Sequence, residues 1–230
     1  MTSSRRRSDF SFGDHADNFD AHIRASIPGF QQLVDYTVDR SLTYVQRGTT
    51  VVDIGCSTGR MLAAIRRVNQ AARTDVDYLG IDIEARFRPC WEKHSFVNFR
   101  CEVGDARTHQ FDNVSLACCI MTLLFLRSAD KLPVLKRIRS SMVEGGALLI
   151  AEKTLAETSR QESDAEAAYM DFKRRRGFTA DEILEKQSSL RGQMTRMTER
   201  ELRRALELAG FRDVEPYWRG HMFVALVALT

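Results

Sequence analysis

The chain has 230 residues, of which 43% are hydrophobic and 28% are charged, and its formal net charge is +3. These values are typical of a globular protein with a sizeable core, built as one domain or as one domain with an added cap. A net charge of this size gives no electrostatic argument for a nucleic-acid partner, and the longest apolar run, 116–126, is too short to span a bilayer.

The first 19 residues predict a flexible tail. Their basic residues are followed by no apolar stretch, so the segment is not a secretory signal. A contact of Arg5–Arg7 with nucleic acid is an open alternative, but a short basic run is a weak indication, and we expect no nucleic-acid partner. The five cysteines form no CxxC pair and the five histidines are scattered, which favours a cytoplasmic protein with reduced thiols and no metal site.

Short apolar runs that predict strands alternate with segments of helical periodicity. Strands are predicted over 50–54, 77–83, 96–103, 114–120 and 146–152. Helices are predicted before and between them, from Pro28 to Gly48, over 61–68, over 84–94 and after Ala129, and Pro89 weakens the third of these. Such alternation predicts an α/β fold with a parallel sheet covered by helices on both faces.

The last third of the chain follows a different pattern. Residues 158–208 show helical periodicity and many charges, which predicts a helical cap over the edge of the sheet. Two strand-like runs, 211–220 and 221–229, predict an antiparallel pair added to the sheet. We therefore expect one domain over 20–230, with lid helices over 20–47 and the cap over 158–208.

The loop after the first strand, in "TVVDIGCSTGRML" (50–62), combines an acid with small residues. Ligands of such sheets bind where strands end and helices begin. Gly55, Ser57 and Gly59 would let a ligand approach the backbone closely, because bulky side chains are missing. The spacing differs from the dinucleotide fingerprint, and Asp53 would repel a pyrophosphate. An acid at this position suits a cationic group, such as an α-ammonium.

Two further acids stand at the ends of the next two strands. Asp82 ends the second strand in "GIDIE", where an acid accepts hydrogen bonds from ribose hydroxyls. Asp105 follows the third strand in "GDA", where it can accept a hydrogen bond from an exocyclic amine such as that of adenine. Each acid alone is equally well explained as a helix N-cap. Together with Asp53, and in this order, the three predict S-adenosylmethionine as the cofactor.

Several segments carry a resemblance to a known family. "VVDIGCSTGR", "GIDIE", "GDAR" and "EGGALLIAEK" resemble class I S-adenosylmethionine-dependent methyltransferases, over roughly residues 20–230. More narrowly, "SIPGF", "TLLFL", "DFKRRRGFTADEILEK" and "LVAL" resemble the bacterial carboxy-S-adenosyl-methionine synthase family, which uses prephenate and serves wobble-uridine modification of tRNA. The resemblance implies a Rossmann-like, mostly parallel seven-stranded sheet and a homodimer. The implied cofactor-binding residues are Asp53, Gly55, Cys56, Ser57, Gly59, Asp82, Ile83, Asp105, Ala106 and Ile120.

Three positions depart from the pattern of that narrower family. In that family an arginine pairs with the product carboxylate, and Gln187 stands at its position here. Ile120 stands where the family has an asparagine, and Phe30 stands where it has a tyrosine. A guanidinium–carboxylate contact is strong and charge-assisted, so a neutral amide would hold an anionic product poorly. We therefore expect the cofactor scaffold without the carboxylated-cofactor chemistry, unless Arg174–Arg176 or Arg191 reaches the site.

Methyl transfer to a small-molecule acceptor is the expected reaction. The protein would mainly align the acceptor behind the methyl carbon and exclude water. Candidate bases by residue type are His22, Glu152, Tyr169 and His221, although a structural role is the commoner use of each. The residues expected at an acceptor pocket are Phe30, Tyr169, Gln187, Tyr217 and Trp218. The alternatives are the carboxylated-cofactor synthase and a cofactor-binding module without catalysis.

Overall fold

The computed structural model describes residues 19–94 and 96–230. Its helices are α1 (Phe19–Ser26), α2 (Phe30–Tyr44), α3 (Arg60–Asn69), α4 (Arg88–Trp91), α5 (Ser128–Ser141), α6 (Ser159–Arg175), α7 (Ala180–Leu190) and α8 (Glu199–Ala209). Its strands are β1 (Thr50–Ile54), β2 (Asp77–Asp82), β3 (Phe99–Val103), β4 (Val114–Ile120), β5 (Met142–Lys153), β6 (Arg212–Gly220) and β7 (Phe223–Leu229). The tail, with Arg5–Arg7, lies outside the described residues except for Phe19, which begins α1.

The strands form one sheet in the order β3-β2-β1-β4-β5-β7-β6. Strands β1 to β5 pair in parallel, and β7 runs antiparallel to both β5 and β6. This topology confirms the predicted mostly parallel sheet with its C-terminal antiparallel pair. The chain moves outward from β1 to β3 and then returns to the other side of β1 as β4. That reversal leaves a crevice at the carboxyl ends of β1 and β4, where ligands of such folds bind.

Helices cover both faces of the sheet, so the central strands are buried on both sides. Val51 and Val52 are neighbours in β1 and enter different hydrophobic clusters, because successive side chains of a strand point to opposite faces. Val52 shares its cluster with Leu206 of α8, whereas Val51 packs with Leu62 of α3. Full burial of such a leucine contributes roughly 1.5–3 kcal/mol to folding. The near-continuous apolar runs of the strands follow from this two-sided burial.

Most element boundaries differ from the prediction by one to four residues, as three elements show. The third strand begins at Phe99 rather than at residue 96, and the fifth begins at Met142 rather than at Gly146. The helix predicted over 84–94 is a 3-10 turn followed by the single turn of α4. Pro89 lies in the first turn of α4, where its missing N–H is tolerated, and it prevents a longer helix from running through this point.

The segment expected as one helical cap contains three helices with different neighbours. Helix α6 lies beside α1. The Tyr169 hydroxyl in α6 donates a hydrogen bond to the carbonyl oxygen of Ser26 in α1 at 2.9 Å. Helix α8 instead enters the main core through Leu202 and Leu206, next to Leu135 of α5. The layer that covers the sheet edge therefore consists of α6 and α7, and α8 belongs to the helices of the sheet face.

Candidate active site

Most of the predicted cofactor residues collect where β1 to β4 end. Asp53 lies in β1 between β2 and β4, and Asp82 is the last residue of β2. Two cavities of about 470 and 500 Å³ open at this edge of the sheet. Gly55 and Ser57 line both cavities, so the cavities adjoin at the loop that follows β1.

The loop after β1 turns sharply and presents its backbone to the cavities. Gly55, Ser57 and Gly59 have φ values of 76°, 45° and 75°, in the left-handed region that favours glycine. The N–H groups of Gly55 and Cys56 both donate to the carbonyl oxygen of Ile81, at 2.8 and 3.0 Å. These bonds tie the loop to β2, and α3 begins directly after it. The small residues therefore serve a tight turn and a close backbone approach together.

Gly55 has no room for a side chain. An added Cβ would lie 2.1 Å from Oγ1 of Thr122. We expect Gly55→Ala to displace the turn at Thr122 and to lower the free energy of unfolding by about 2–4 kcal/mol. Gly48→Ala is the matched control, because Gly48 has a φ of 69° and nothing within 4 Å, so only a strain of about 1–2 kcal/mol applies. Urea unfolding measures both variants, and equal losses would contradict the steric argument.

Asp53 is an acid buried without enough partners. Its side chain is 2% exposed, and its Oδ2 atom has no hydrogen-bond partner among the described residues. Burial, and secondly the neighbouring charge of Asp82, raises the pKa of Asp53 to about 7. Asp53 lines the 500 Å³ cavity together with Ile120 and Phe30. A buried carboxylate with a free oxygen is stabilised by a cation, as the sequence argument for an ammonium group requires.

Asp82 is held in place by the backbone of its own neighbourhood. Its Oδ2 accepts a hydrogen bond from the Ser57 N–H at 2.8 Å, and its Oδ1 accepts one from the Glu84 N–H at 2.9 Å. Burial raises the pKa of Asp82, and these backbone donors oppose that rise. The residue lines the 470 Å³ cavity, where each oxygen keeps a lone pair for a further donor. This arrangement fits the ribose hydroxyls of a nucleoside.

Asp105 lines the same cavity but is engaged by an arginine. Arg107 places its Nη2 at 2.6 Å from Oδ2 of Asp105 and its Nε at 3.0 Å from Oδ1. The guanidinium lowers the pKa of Asp105, so the group stays ionised. Ile83 and Ala106 line the cavity beside it. The contact of Asp105 with an adenine amine remains a prediction, and such an amine would share the carboxylate with Arg107.

Several residues of the site were given no role by the sequence argument. Thr122 lies under the loop, and its hydroxyl donates to the carbonyl oxygen of Ile54 at 2.9 Å. Phe87, Phe125 and Leu126 give the 470 Å³ cavity an apolar wall. Thr122 and Phe125 lie within "TLLFL" (122–126), a segment that carries the family resemblance but gave neither residue a predicted role. Phe87 had no signal, because an isolated phenylalanine is equally common in any core.

The structure places the candidate bases away from the two cavities. The Oε1 atom of Glu152 accepts the Leu123 N–H at 3.0 Å, so this buried acid holds the turn that supports Thr122. The hydroxyl of Tyr169 is bonded to Ser26, and burial raises its pKa. His221 is exposed and packs against a phenylalanine ring. His22 forms a contact of 3.3 Å with Ser26 within α1. None of the four lines either cavity, and a catalytic role for any of them stays a prediction.

The predicted acceptor residues are divided between the cavity and the core. Phe30 lines the 500 Å³ cavity. Trp218 is buried and donates from Nε1 to Oε1 of Gln32 at 3.2 Å. Tyr217 is half-buried, with its hydroxyl 2.9 Å from Oγ1 of Thr37. Both aromatic residues belong to β6 of the C-terminal hairpin, contact α2 and line neither cavity.

Gln187 also lies outside the two cavities. It is exposed on α7, and its Nε2 lies 3.8 Å from the sulfur of Met170. Arg174–Arg176 and Arg191 are exposed too, at the end of α6 and after α7. None of these arginines replaces the guanidinium of the resembling family at the cavity edge. Within residues 19–94 and 96–230, no helix is both long and apolar enough to cross a membrane, and no group of three acidic, thiol or imidazole side chains could hold a metal ion.

The reversed parallel sheet, with a small-residue loop and two buried carboxylates at its reversal point, is the architecture of class I S-adenosylmethionine-dependent methyltransferases, and this chain is an enzyme of that class. It belongs to the methyltransferase-domain family, whose model matches residues 29–215. S-adenosylmethionine is its cofactor, and the free oxygen of Asp53 and the open lone pairs of Asp82 fit its ammonium and ribose groups.

Similar proteins support both the family and the fold. The carboxy-S-adenosyl-L-methionine synthase of Shewanella halifaxensis is 30% identical over 96% of this chain and 93% of its own. A complex of the Haloferax volcanii Trm112 methyltransferase activator with a putative methyltransferase contains a similar fold (TM-score 0.64, 18% identity, covering 98% of this chain and 99% of that chain). Human N-acetylserotonin methyltransferase, solved with S-adenosylmethionine, is also similar (TM-score 0.56, 18% identity, 85% of this chain and 50% of that chain).

Proposed function

We propose that the protein transfers the methyl group of S-adenosylmethionine to a small-molecule acceptor. The observation that carries this proposal is the unpartnered, buried oxygen of Asp53 beside the Gly55 loop. An acid in this state makes the empty protein less stable and the cation-bound protein more stable, which is the balance expected of a binding group. The apolar side chains of Phe30 and Ile120 in the same cavity would exclude water from the reacting atoms.

Each site residue has a distinct role in this proposal. Asp53 pairs with the ammonium group, and Asp82 accepts hydrogen bonds from the ribose hydroxyls while it holds the Ser57 N–H. The cofactor supplies an electrophilic methyl carbon. The chain supplies alignment and a dry surrounding. His22, Glu152, Tyr169 and His221 line neither cavity, so a base drawn from these four is not part of this proposal.

Isotope transfer tests the proposal directly. The protein is incubated with S-adenosylmethionine carrying a ¹³C-methyl group and with the small-molecule fraction of a bacterial extract. We expect a labelled product of low molecular mass and stoichiometric S-adenosylhomocysteine. Cofactor binding by calorimetry without any labelled product would favour the non-catalytic binding module.

A second candidate follows from the name of the curated relatives, carboxy-S-adenosyl-L-methionine synthase. The exposed position of Gln187 argues against it, because the residue that stands in place of the family's arginine is a neutral amide that lines neither cavity. Incubation with S-adenosylmethionine and prephenate, followed by mass spectrometry of the nucleoside, separates the two. We expect no carboxylated nucleoside, and its formation would establish the second candidate.

The resemblance also supports a homodimer in the cytoplasm. All five cysteines are free, which suits a reducing compartment. Light scattering after size exclusion measures the assembly. A mass near that of one chain, 26.2 kDa, would contradict the homodimer.

A further inference from the structure

Three lysines, here named the lysine cluster, gather at the carboxyl end of β5. They are Lys153 at the end of β5, Lys173 in α6 and Lys186 in α7. The Nζ atoms of Lys153 and Lys173 lie 4.5 and 4.8 Å from the centroid of the Tyr169 ring. One aromatic ring thus faces two ammonium groups, which brings like charges close together on an apolar surface.

The ammonium groups of Lys153 and Lys173 are not neutralised by the acids around them. Glu162 and Glu166 are the acids that act on Lys153, and both are bound by Arg196, at 2.8 and 3.5 Å. Within the described part of the chain, neither Lys153 nor Lys173 forms an ion pair. Burial lowers the pKa of Lys153 to about 8, helped by the charges of Arg196 and Lys173. Lys153 and Lys173 therefore bring a positive charge to this place that an anion would stabilise.

The lysine cluster is joined to the cofactor cavity by one apolar layer. Tyr169 belongs to a hydrophobic cluster against which Phe30 and Ile120 pack. Phe30 and Ile120 also line the 500 Å³ cavity with Asp53. The N–H of Met121, which follows β4, donates to the carbonyl oxygen of Ala151 at 2.7 Å, two positions before Lys153. None of the three lysines lines either cavity, so an acceptor that contacts both the methyl group and the lysines must extend along this layer, past Phe30 and Ile120.

We propose that Lys153 and Lys173, assisted by Lys186, bind a carboxylate or phosphate group of the methyl acceptor, whose apolar part lies against Phe30 and Ile120. The inference rests on the proposed methyl transfer and narrows its substrate to a small organic anion. It also revises the expectation that an anionic ligand is poorly held when Gln187 replaces an arginine. The ammonium groups at the end of β5 would supply the positive charge instead. The acceptor is held by charge at one end and by apolar contact near the reacting atoms.

Fluorine NMR of matched probes tests this site on the full chain saturated with S-adenosylhomocysteine. The probes are 4-fluorobenzoate, 4-fluorophenyl phosphate and the neutral 4-fluorobenzamide. We expect at least one anion to bind tenfold or more tightly than the amide. Lys153→Met and Lys173→Met should each remove most of that preference, because charge is lost while side-chain length is kept. Lys136→Met, at an exposed position of α5, is the control and should bind as the wild type does.

The outcomes separate this inference from the methyltransferase proposal. S-adenosylhomocysteine binding is measured by calorimetry in every variant and should be unchanged. Normal cofactor binding with no anion preference, or an equal loss in the Lys136→Met control, would overturn the anion site alone. Absence of cofactor binding in the wild type would instead overturn the proposed function. The anion that binds more tightly identifies the group as carboxylate or phosphate.

Discussion

Replacing Asp53 with Asn is expected to make the protein more stable and weaker in cofactor binding. Burial raises the pKa of Asp53 from 3.8 to about 7. An acid with a raised pKa in the folded state destabilises that state as the pH rises from about 4 to 7, because the unfolded chain releases its proton first. At about 1.4 kcal/mol for each pKa unit, this rise of the pKa gives a penalty of about 4 kcal/mol above pH 7. The neutral amide avoids this penalty, so the gain should be largest at pH 8 and shrink toward pH 4.

Cofactor binding by the wild type should depend on pH in the opposite sense. The ionised form of Asp53 attracts the ammonium group, and the ammonium group itself stays protonated below about pH 7.7. If only the ionised form binds well, the dissociation constant should fall roughly twentyfold between pH 5.5 and pH 7.5. Asp53→Asn should bind weakly and show little of this dependence, because its side chain does not titrate.

Thermal unfolding and calorimetry with S-adenosylhomocysteine, each at several pH values, check both halves of the prediction. Asp112→Asn is the matched control, since Asp112 is exposed and lines neither cavity. A loss of stability in Asp53→Asn at pH 8 would show that the free Oδ2 atom has a structural partner. A wild-type affinity independent of pH would show that Asp53 does not face the ammonium group.

This opposition between stability and binding explains why Asp53 could be predicted as a binding residue from the sequence. A stability-driven core would place an apolar residue at this buried position of β1, which is paired with Cys118 of β4. An acid there violates the local pattern, and violations of this kind concentrate at functional sites. Asp82 could be predicted as a site residue for a related reason. An acid at the carboxyl end of a buried strand has few structural uses besides binding backbone donors.

The fold followed from periodicity because its strands are buried on both faces and its helices on one. Val51 and Val52 pack on opposite sides, so the strand reads as an unbroken apolar run. The cap was harder, because charge content alone does not separate a covering helix from one that packs on the sheet. Helix α8 has a larger share of charged residues than α6 or α7 but buries Leu202 and Leu206 along one stripe.

The acceptor residues were less predictable because their contacts join distant parts of the chain. Trp218 meets Gln32, and Tyr169 meets Ser26, across the lid and the cap. Nothing local distinguishes an aromatic residue in such a junction from one in a pocket. The lysine cluster was missed for the same reason, since Lys153 and Lys173 come from different elements and meet only at the Tyr169 ring.

Asp82→Ala is expected to reduce cofactor affinity by roughly 30- to 150-fold. Hydrogen bonds from hydroxyls to a carboxylate contribute about 2–3 kcal/mol together after exchange with water. The variant also removes the acceptor of the Ser57 and Glu84 N–H groups, so the loop after β1 loses a fixed point. Calorimetry with S-adenosylhomocysteine measures the loss, and an unchanged far-ultraviolet circular dichroism spectrum shows that the sheet is retained.

A ligand without the ribose hydroxyls separates direct contact from loop support. If Asp82 binds the ribose, Asp82→Ala should weaken S-adenosylhomocysteine binding by the full factor. It should weaken binding of the 2′,3′-dideoxy analogue only slightly, because that analogue has no hydroxyl donors for the carboxylate. If Asp82 acts only through Ser57 and Glu84, both ligands should weaken equally, since both rest on the same loop. Equal weakening would therefore remove Asp82 from the cofactor contacts and leave it as a positioning residue, whereas the difference between the ligands measures the ribose contact itself.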